Sequence, residues 1–219
     1  MLIQWQDFNG ADAAIAGEFG RQWQEIRDVL SAMPLHLQAS DQAGKVGNLI
    51  FDPKGTNKYI GRKLVSGKNH WMGGIPIPQE FDFLGKDIDF GKKGMIVEIQ
   101  FSNYPFLLNN MLRSELFYNA KIPLNQHLTG VAVIVTKANM FPASNSTLYY
   151  EQAQRQLTSL SKYKLFGVPI RLVGLFAEPG ERCPVVFTQY SGRYSREGIS
   201  TKHMCRISGD TKAALTLLD

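Results

Sequence analysis

Residues 87–101 carry acids and an amide at spacings that suit work on a phosphate ester. Asp89 lies on one extended segment, while Glu98 and Gln100 share a face of the next, because side chains in a strand alternate with period two. Met95, Val97, Ile99 and Phe101 fall on the opposite face of that second segment and give it an apolar anchor. Between the segments, Gly91, Lys92, Lys93 and Gly94 supply turn residues, so the pair reads as a hairpin that brings Asp89 beside Glu98. Carboxylates converging from two strands can hold a divalent cation against a phosphodiester. On spacing alone, Asp82, Asp87 and Asp89 are all candidates for the metal-binding acid, and the polar face carrying Glu98 and Gln100 reads as free for chemistry.

The elements that position these residues follow from hydrophobic periodicity. Ile15, Phe19, Trp23, Ile26 and Leu30 recur at three- and four-residue steps, which predicts an amphipathic helix over residues 11–33, stopped by Pro34. Residues 34–80 read mainly as ordered loop, with a turn at Asp52-Pro53-Lys54-Gly55 and a short helix over 56–65. After the hairpin the pattern predicts a helix over 105–119, a buried strand over 130–137, a helix over 148–163 and a second buried strand over 169–176. That order is β, β, α, β, α, β. It predicts an α/β fold with a central mixed sheet flanked by helices. Residues 185–189 read as a further strand, and the Gly, Ser and Arg content from Ser191 onward reads as a loop or arm of weaker order. The chain is expected to form one domain, with a core over about 11–176 and a smaller β-rich or loop appendage over about 177–219.

Composition narrows the classes. A chain of 219 residues with 44% hydrophobic content can build a full core. The formal charge of +5 suits an anionic partner, although such an excess also occurs in proteins that touch no nucleic acid. The two cysteines, Cys183 and Cys205, have no CxxC or Cys/His spacing, which argues against a disulfide framework and a structural zinc site. No export signal or membrane-length apolar run is legible, so a cytoplasmic protein away from membranes is expected.

Specific segments then carry a resemblance. Met33-Pro-Leu-His36, Asn48-Leu-Ile-Phe-Asp-Pro53, Ile75-Pro-Ile-Pro78 and Phe81-Asp-Phe-Leu-Gly85 are among them, with residues 39–43, 101–110, 140–146, 148–154 and 169–175. Together they resemble the BglII family of type II restriction endonucleases, prokaryotic PD-(D/E)xK nucleases related to BamHI that cut around a central GATC. The resemblance spans most of residues 30–196. Among the open candidates it selects Asp89, and it implies Asp89, Glu98 and Gln100 as the catalytic set. It also implies Mg²⁺, with Mn²⁺ as a substitute, held by Asp89 and the Ile99 backbone carbonyl and reached by Glu98 through a water. Most relatives have Lys where Gln100 stands; a neutral amide can orient water but is a poorer proton donor.

The same resemblance implies a homodimer on double-stranded DNA, with Ser102, Asn103, Asn145 and Ser146 at the bases and Arg193, Tyr194 and Arg196 in a basic arm. Asn can pair with adenine and Arg with guanine or phosphate. On residue types alone, Asn145 and Ser146 read first as caps of the helix that follows. The implied cut is A/GATCT with a four-base 5′ overhang, RGATCY being the alternative, and a protective methyltransferase is expected in the host. Two departures stand out: Gly74 replaces an active-site Asn of the family, with Asn69 or His70 as possible substitutes, and Gly192 replaces a Lys of the arm. They raise a second reading, a sequence-specific DNA-binding protein that no longer cleaves. The hairpin acids taken alone would also suit a hydrolase of small phosphate esters.

Overall fold

The computed structural model describes residues 1–66, 69–192 and 195–218. Eleven strands are named among them: β1 (Leu2–Phe8), β2 (Leu35–Ala39), β3 (Leu49–Phe51), β4 (Met72–Pro76), β5 (Asp87–Lys92), β6 (Met95–Ile99), β7 (Val131–Lys137), β8 (Ile170–Phe176), β9 (Arg182–Tyr190), β10 (Gly198–Ile207) and β11 (Leu215–Leu218). The α-helices are α1 (Ala11–Gly17), α2 (Gly20–Ser31), α3 (Pro53–Val65), α4 (Phe106–Asn119) and α5 (Tyr150–Lys162), and a 3₁₀ helix covers Gln79–Leu84.

The strands form two mixed sheets, one six-stranded in the order β1-β8-β7-β6-β5-β4 and one five-stranded in the order β11-β10-β9-β2-β3. In the first, β6, β7 and β8 run parallel, while β1, β5 and β4 are antiparallel to their neighbours. This is the α/β arrangement expected from the sequence. The central strands are buried on both faces, so alternate residues feed two cores. Val97, Val133 and Val173 pack with α1 and α2 on one side; Ile96, Ile134 and Leu172 pack with Leu107, Met111 and Phe117 of α4 and Leu157 of α5 on the other.

The predicted single helix over 11–33 is instead two helices, because the chain leaves helical geometry at Phe19 between Gly17 and Gly20. Phe19 is buried against Gly94 and Gly130, where a side chain on Gly130 would meet its ring at 2.6 Å. The residues read as a turn at 52–55 open α3: Asp52 is the N-cap, its side chain accepting from Lys54 N at 3.0 Å, and Pro53 takes the first helical position, where its missing N–H costs nothing.

The region read as a loop or arm from Ser191 onward contains β10 and β11. β9 pairs in parallel with β2, joining the C-terminal strands to residues also read as loop. Leu35, Leu37, Val185, Cys205 and Ile207 from this second sheet join the same core as α2 and the main sheet. Cys183 and Cys205 are register partners on β9 and β10, and both are free thiols. No helix among the described residues is long and apolar enough to cross a membrane.

Candidate active site and nucleic-acid interface

The hairpin forms with Lys93 and Gly94 as its two-residue turn, both at positive φ (49° and 90°), the geometry whose twist suits adjoining strands. Its register pairs Lys92 with Met95, Gly91 with Ile96 and Phe90 with Val97. One step further on, the Asp89 side chain replaces the ladder: its Oδ2 accepts from Ile99 N at 2.7 Å. Asp89 is thereby tied to the backbone of β6 beside Glu98. Asp82 and Asp87 are both exposed.

The polar face of β6 is closed, contrary to the sequence expectation. Glu98 is 1% exposed and Gln100 5% exposed, because α4 lies over them. From that helix Arg113 forms a buried ion pair with Glu98 and reaches the Leu84 carbonyl at 3.4 Å. Gly85 makes room for it: its φ is 125°, and an added Cβ would sit 2.8 Å from Arg113 Nη1. Asn110, three residues earlier on α4, donates to Gln100 Oε1 at 3.2 Å. Burial pushes the Glu98 carboxyl up to about 8, with the Asp89 charge adding to the effect and Arg113 opposing it. Asp89 is also raised, chiefly by burial, against the Ile99 N–H and with the help of Asp87.

Two adjacent carboxylates, both held above their ordinary range chiefly by burial, form a site a cation would relieve. The available donors, Asp89, Glu98 and the Ile99 carbonyl, are all oxygen, as a hard divalent ion prefers. Among the described residues no group of three or more His, Cys, Asp or Glu side chains gathers for a metal. Such a sparse set fits an ion that keeps much of its own water, as Mg²⁺ does.

Gln100 links these acids to the next residues. Its Nε2 donates to Ser102 Oγ at 3.0 Å and to the Asn103 carbonyl at 3.2 Å. Ser102 and Asn103 are exposed, as are Asn145 and Ser146, and the two loops are laced together. Leu148 N donates to the Ser102 carbonyl at 2.9 Å, Tyr104 N to the Ser146 carbonyl at 3.2 Å, and Asn103 bridges Thr147. Asn145 and Ser146 do not cap the following helix: α5 starts at Tyr150, its N-cap is Tyr149, and no side chain caps it. Asn145 Oδ1 instead accepts from Lys45 at 3.4 Å.

Beneath both loops sits Lys137, which sequence reasoning placed on a buried strand and gave no task. It is fully buried. Its ammonium donates to Thr147 Oγ1 at 2.6 Å, to the Leu148 carbonyl at 3.0 Å and to the Phe101 carbonyl at 3.2 Å. The rings of Tyr149, Phe51 and Phe101 surround it at 5.0, 5.5 and 5.8 Å. Burial pulls its pKa down to about 7. The only sequence signal was a lysine, after Thr136, ending a strand that is otherwise apolar. Arg113 was equally hidden, since it lies on the helix predicted over 105–119, whose sequence gives no sign that an arginine turns inward.

Arg196 is exposed just before β10, whereas Arg193 and Tyr194 lie outside the described residues. Gly74, on β4, has φ +60°, and a Cβ there would meet only Asp87 Oδ2, at 3.7 Å. Asn69 and His70 are engaged toward the turn end of the hairpin. The Asn69 carbonyl accepts from Lys92, and His70 lines a cavity of about 630 Å³ with Lys92, Lys93 and His127.

Known proteins share this architecture. A profile of the family described as restriction endonuclease BglII/BglIII matches residues 3–175. The chain is 55% identical over 197 residues to the type II restriction enzyme BglII of Bacillus subtilis, covering 90% of this chain and 86% of that one. The crystal structure of restriction endonuclease BglII complexed with a DNA 16-mer matches over 100% of both chains, with a TM-score of 0.94 and 48% identity. Free BglII matches over the same extent with a TM-score of 0.79 and 46% identity.

Proposed function

Because the chain belongs to the BglII/BglIII family of restriction endonucleases, we propose that it is a type II site-specific deoxyribonuclease. It acts as a homodimer in the bacterial cytoplasm, where a cognate methyltransferase protects the host DNA. Its site is a palindrome containing GATC, cut as A/GATCT to leave four-base 5′ overhangs. The whole chain serves as one endonuclease unit, with residues of about 177–219 contributing the DNA-facing arm. The observation that carries this reading is the continuity of β6: the acid Glu98, the amide Gln100 and the exposed pair Ser102 and Asn103 follow one another on one short stretch of chain.

Asp89, the Ile99 carbonyl and Glu98 are the groups that would hold Mg²⁺. When bound, the ion lowers the pKa of water and offsets charge developing on the phosphate. The protein's own residues do the rest. The Ile99 N–H fixes the Asp89 carboxylate. Arg113 fixes Glu98 and favours its ionised form against burial, so that Glu98 can take a proton from the attacking water. Gln100 holds the Ser102 and Asn103 segment in place. Ser102, Asn103, Asn145 and Ser146 meet base edges, while Arg193, Tyr194 and Arg196 meet the backbone or outer bases.

Digestion of plasmids of known sequence with Mg²⁺, followed by sequencing of the fragment ends, tests the proposal. Fragments ending in GATC overhangs at AGATCT are expected; cutting at every RGATCY would replace that specificity. Gly74 and the engagement of Gln100 Nε2 favour a second reading, specific binding without cleavage. Gel shifts of intact DNA in Mg²⁺ with no fragments over long incubation would establish it and sink the nuclease assignment.

A further inference from the structure

Away from the hairpin, a groove of about 480 Å³ runs between α3 and the face of the second sheet formed by β2, β9 and β10. Its floor follows from register. His36 pairs with Val186, Val186 with Lys202, and Thr188 with Ser200, so these side chains share one face. Its wall is α3, where Lys58 and Arg62 stand one turn apart. Arg196 and Lys202 enter from β10 and the residues before it. No carboxylate lines the groove, and none of Lys58, Arg62, Arg196 and Lys202 forms an ion pair among the described residues. Asp52, which accepts from the Tyr190 hydroxyl at 2.8 Å, is itself fully buried.

His36 is the second, independent observation. It is 7% exposed, it lines the groove, and neither ring nitrogen has a hydrogen-bond partner. Burial and the Arg62 charge hold its pKa down to about 4, so the neutral ring carries one N–H with nothing to donate to. A buried donor left unpaired is costly and calls for an acceptor. Cations lining one groove, above a buried ring whose nitrogens are unpaired and closed to solvent, describe a receptor for a tetrahedral oxyanion.

We infer that this groove binds a phosphate of the DNA backbone outside the base-read palindrome. The assignment rests on the proposed function, through the continuity of the groove with Arg196. The deeper chemistry, a phosphate oxyanion held by Lys58, Arg62 and Lys202, would be shared by free phosphate.

The test uses the Asp89→Asn protein, which keeps DNA intact, with duplexes carrying the same palindrome and either short or long flanks. Long flanks are expected to bind about tenfold more tightly. In the triple variant Lys58→Ala, Arg62→Ala, Lys202→Ala that gain disappears, while short-flank affinity holds within about twofold. The slope of log affinity against log salt falls by about one for each phosphate that is no longer neutralised. An undiminished flank gain in the triple variant overturns the assignment. In parallel, inorganic phosphate is titrated onto the free protein while the His36 imidazole resonances are followed by NMR. A response abolished in the triple variant, without any flank effect, would assign the groove to free phosphate and overturn the DNA source. Failure to bind any duplex would count against the endonuclease reading itself, leaving the phosphate titration to decide the groove.

Discussion

At the scale of single residues, the site is a set of buried charges held by named partners, and each partner predicts a measurement. On the proposed function, Asp89→Asn removes a metal-holding charge worth several kcal/mol, so cleavage is expected to fall on the order of 10³-fold while DNA binding measured by gel shift persists. Equal cleavage would show that another acid holds the ion. Arg113 opposes the burial that pushes Glu98 up to about 8. In Arg113→Met the rising limb of the pH–rate profile is therefore expected to move to higher pH; an unmoved profile would mean that Glu98 is not the titrating group. Lys137 has the opposite sign. Its folded-state pKa of about 7 lies below the ordinary lysine value of 10.5, so its contribution to stability is present above that value and is lost as pH falls through 7. Urea unfolding is expected to show the native protein gaining on Lys137→Met between pH 7 and 10. The same variant is expected to lose discrimination between cognate and mismatched duplexes, since the loops carrying Ser102 and Asn145 lose their shared donor. A variant with full discrimination would reduce Lys137 to core filler.

At the scale of elements, legibility followed the length of the apolar pattern. The hairpin, β7, β8, α4 and α5 were readable because β-branched apolar runs or 3.6-residue periodicity persist through them. β4 hid behind Gly73, Gly74 and Pro76, which read as breakers. β10 was illegible because eight of its ten residues are not buried and only Cys205 and Ile207 face the core. A strand with one wet face and few buried side chains leaves little pattern. Type and spacing marked Glu98 and narrowed its partner to Asp82, Asp87 and Asp89, the family resemblance selecting Asp89, whereas Arg113 and Lys137 depend on neighbours brought together by tertiary folding. Gly94 tests the hairpin as a unit. Its φ of 90° and the Leu128 carbonyl 2.7 Å from any added Cβ leave no room for a side chain. Gly94→Ala is expected to cost about 1–3 kcal/mol in denaturant unfolding, and a neutral result would show that the turn adapts freely.

At the scale of the whole molecule, the fold matches the DNA-bound relative at a TM-score of 0.94 and the free one at 0.79. If the chain resembles its relative in this respect too, small-angle scattering is expected to show a change in shape when cognate duplex is added; identical profiles for the bound and free protein, after subtraction of the DNA, would exclude it. A palindromic site calls for two-fold symmetry, and light scattering is expected to give twice the chain mass at working concentration. The buried Lys137 extends this interdependence to the evolution of new specificities. It bonds the backbone of both loops of the proposed reading surface, while Phe51, one of its ring neighbours, belongs to β3 and donates its own N–H to the Pro142 carbonyl. Altering one loop therefore disturbs the footing of the other. A laboratory seeking a different target sequence would gain little from randomising residues 102–103 alone; libraries that vary both loops together above an unchanged lysine are the ones expected to yield a new reader.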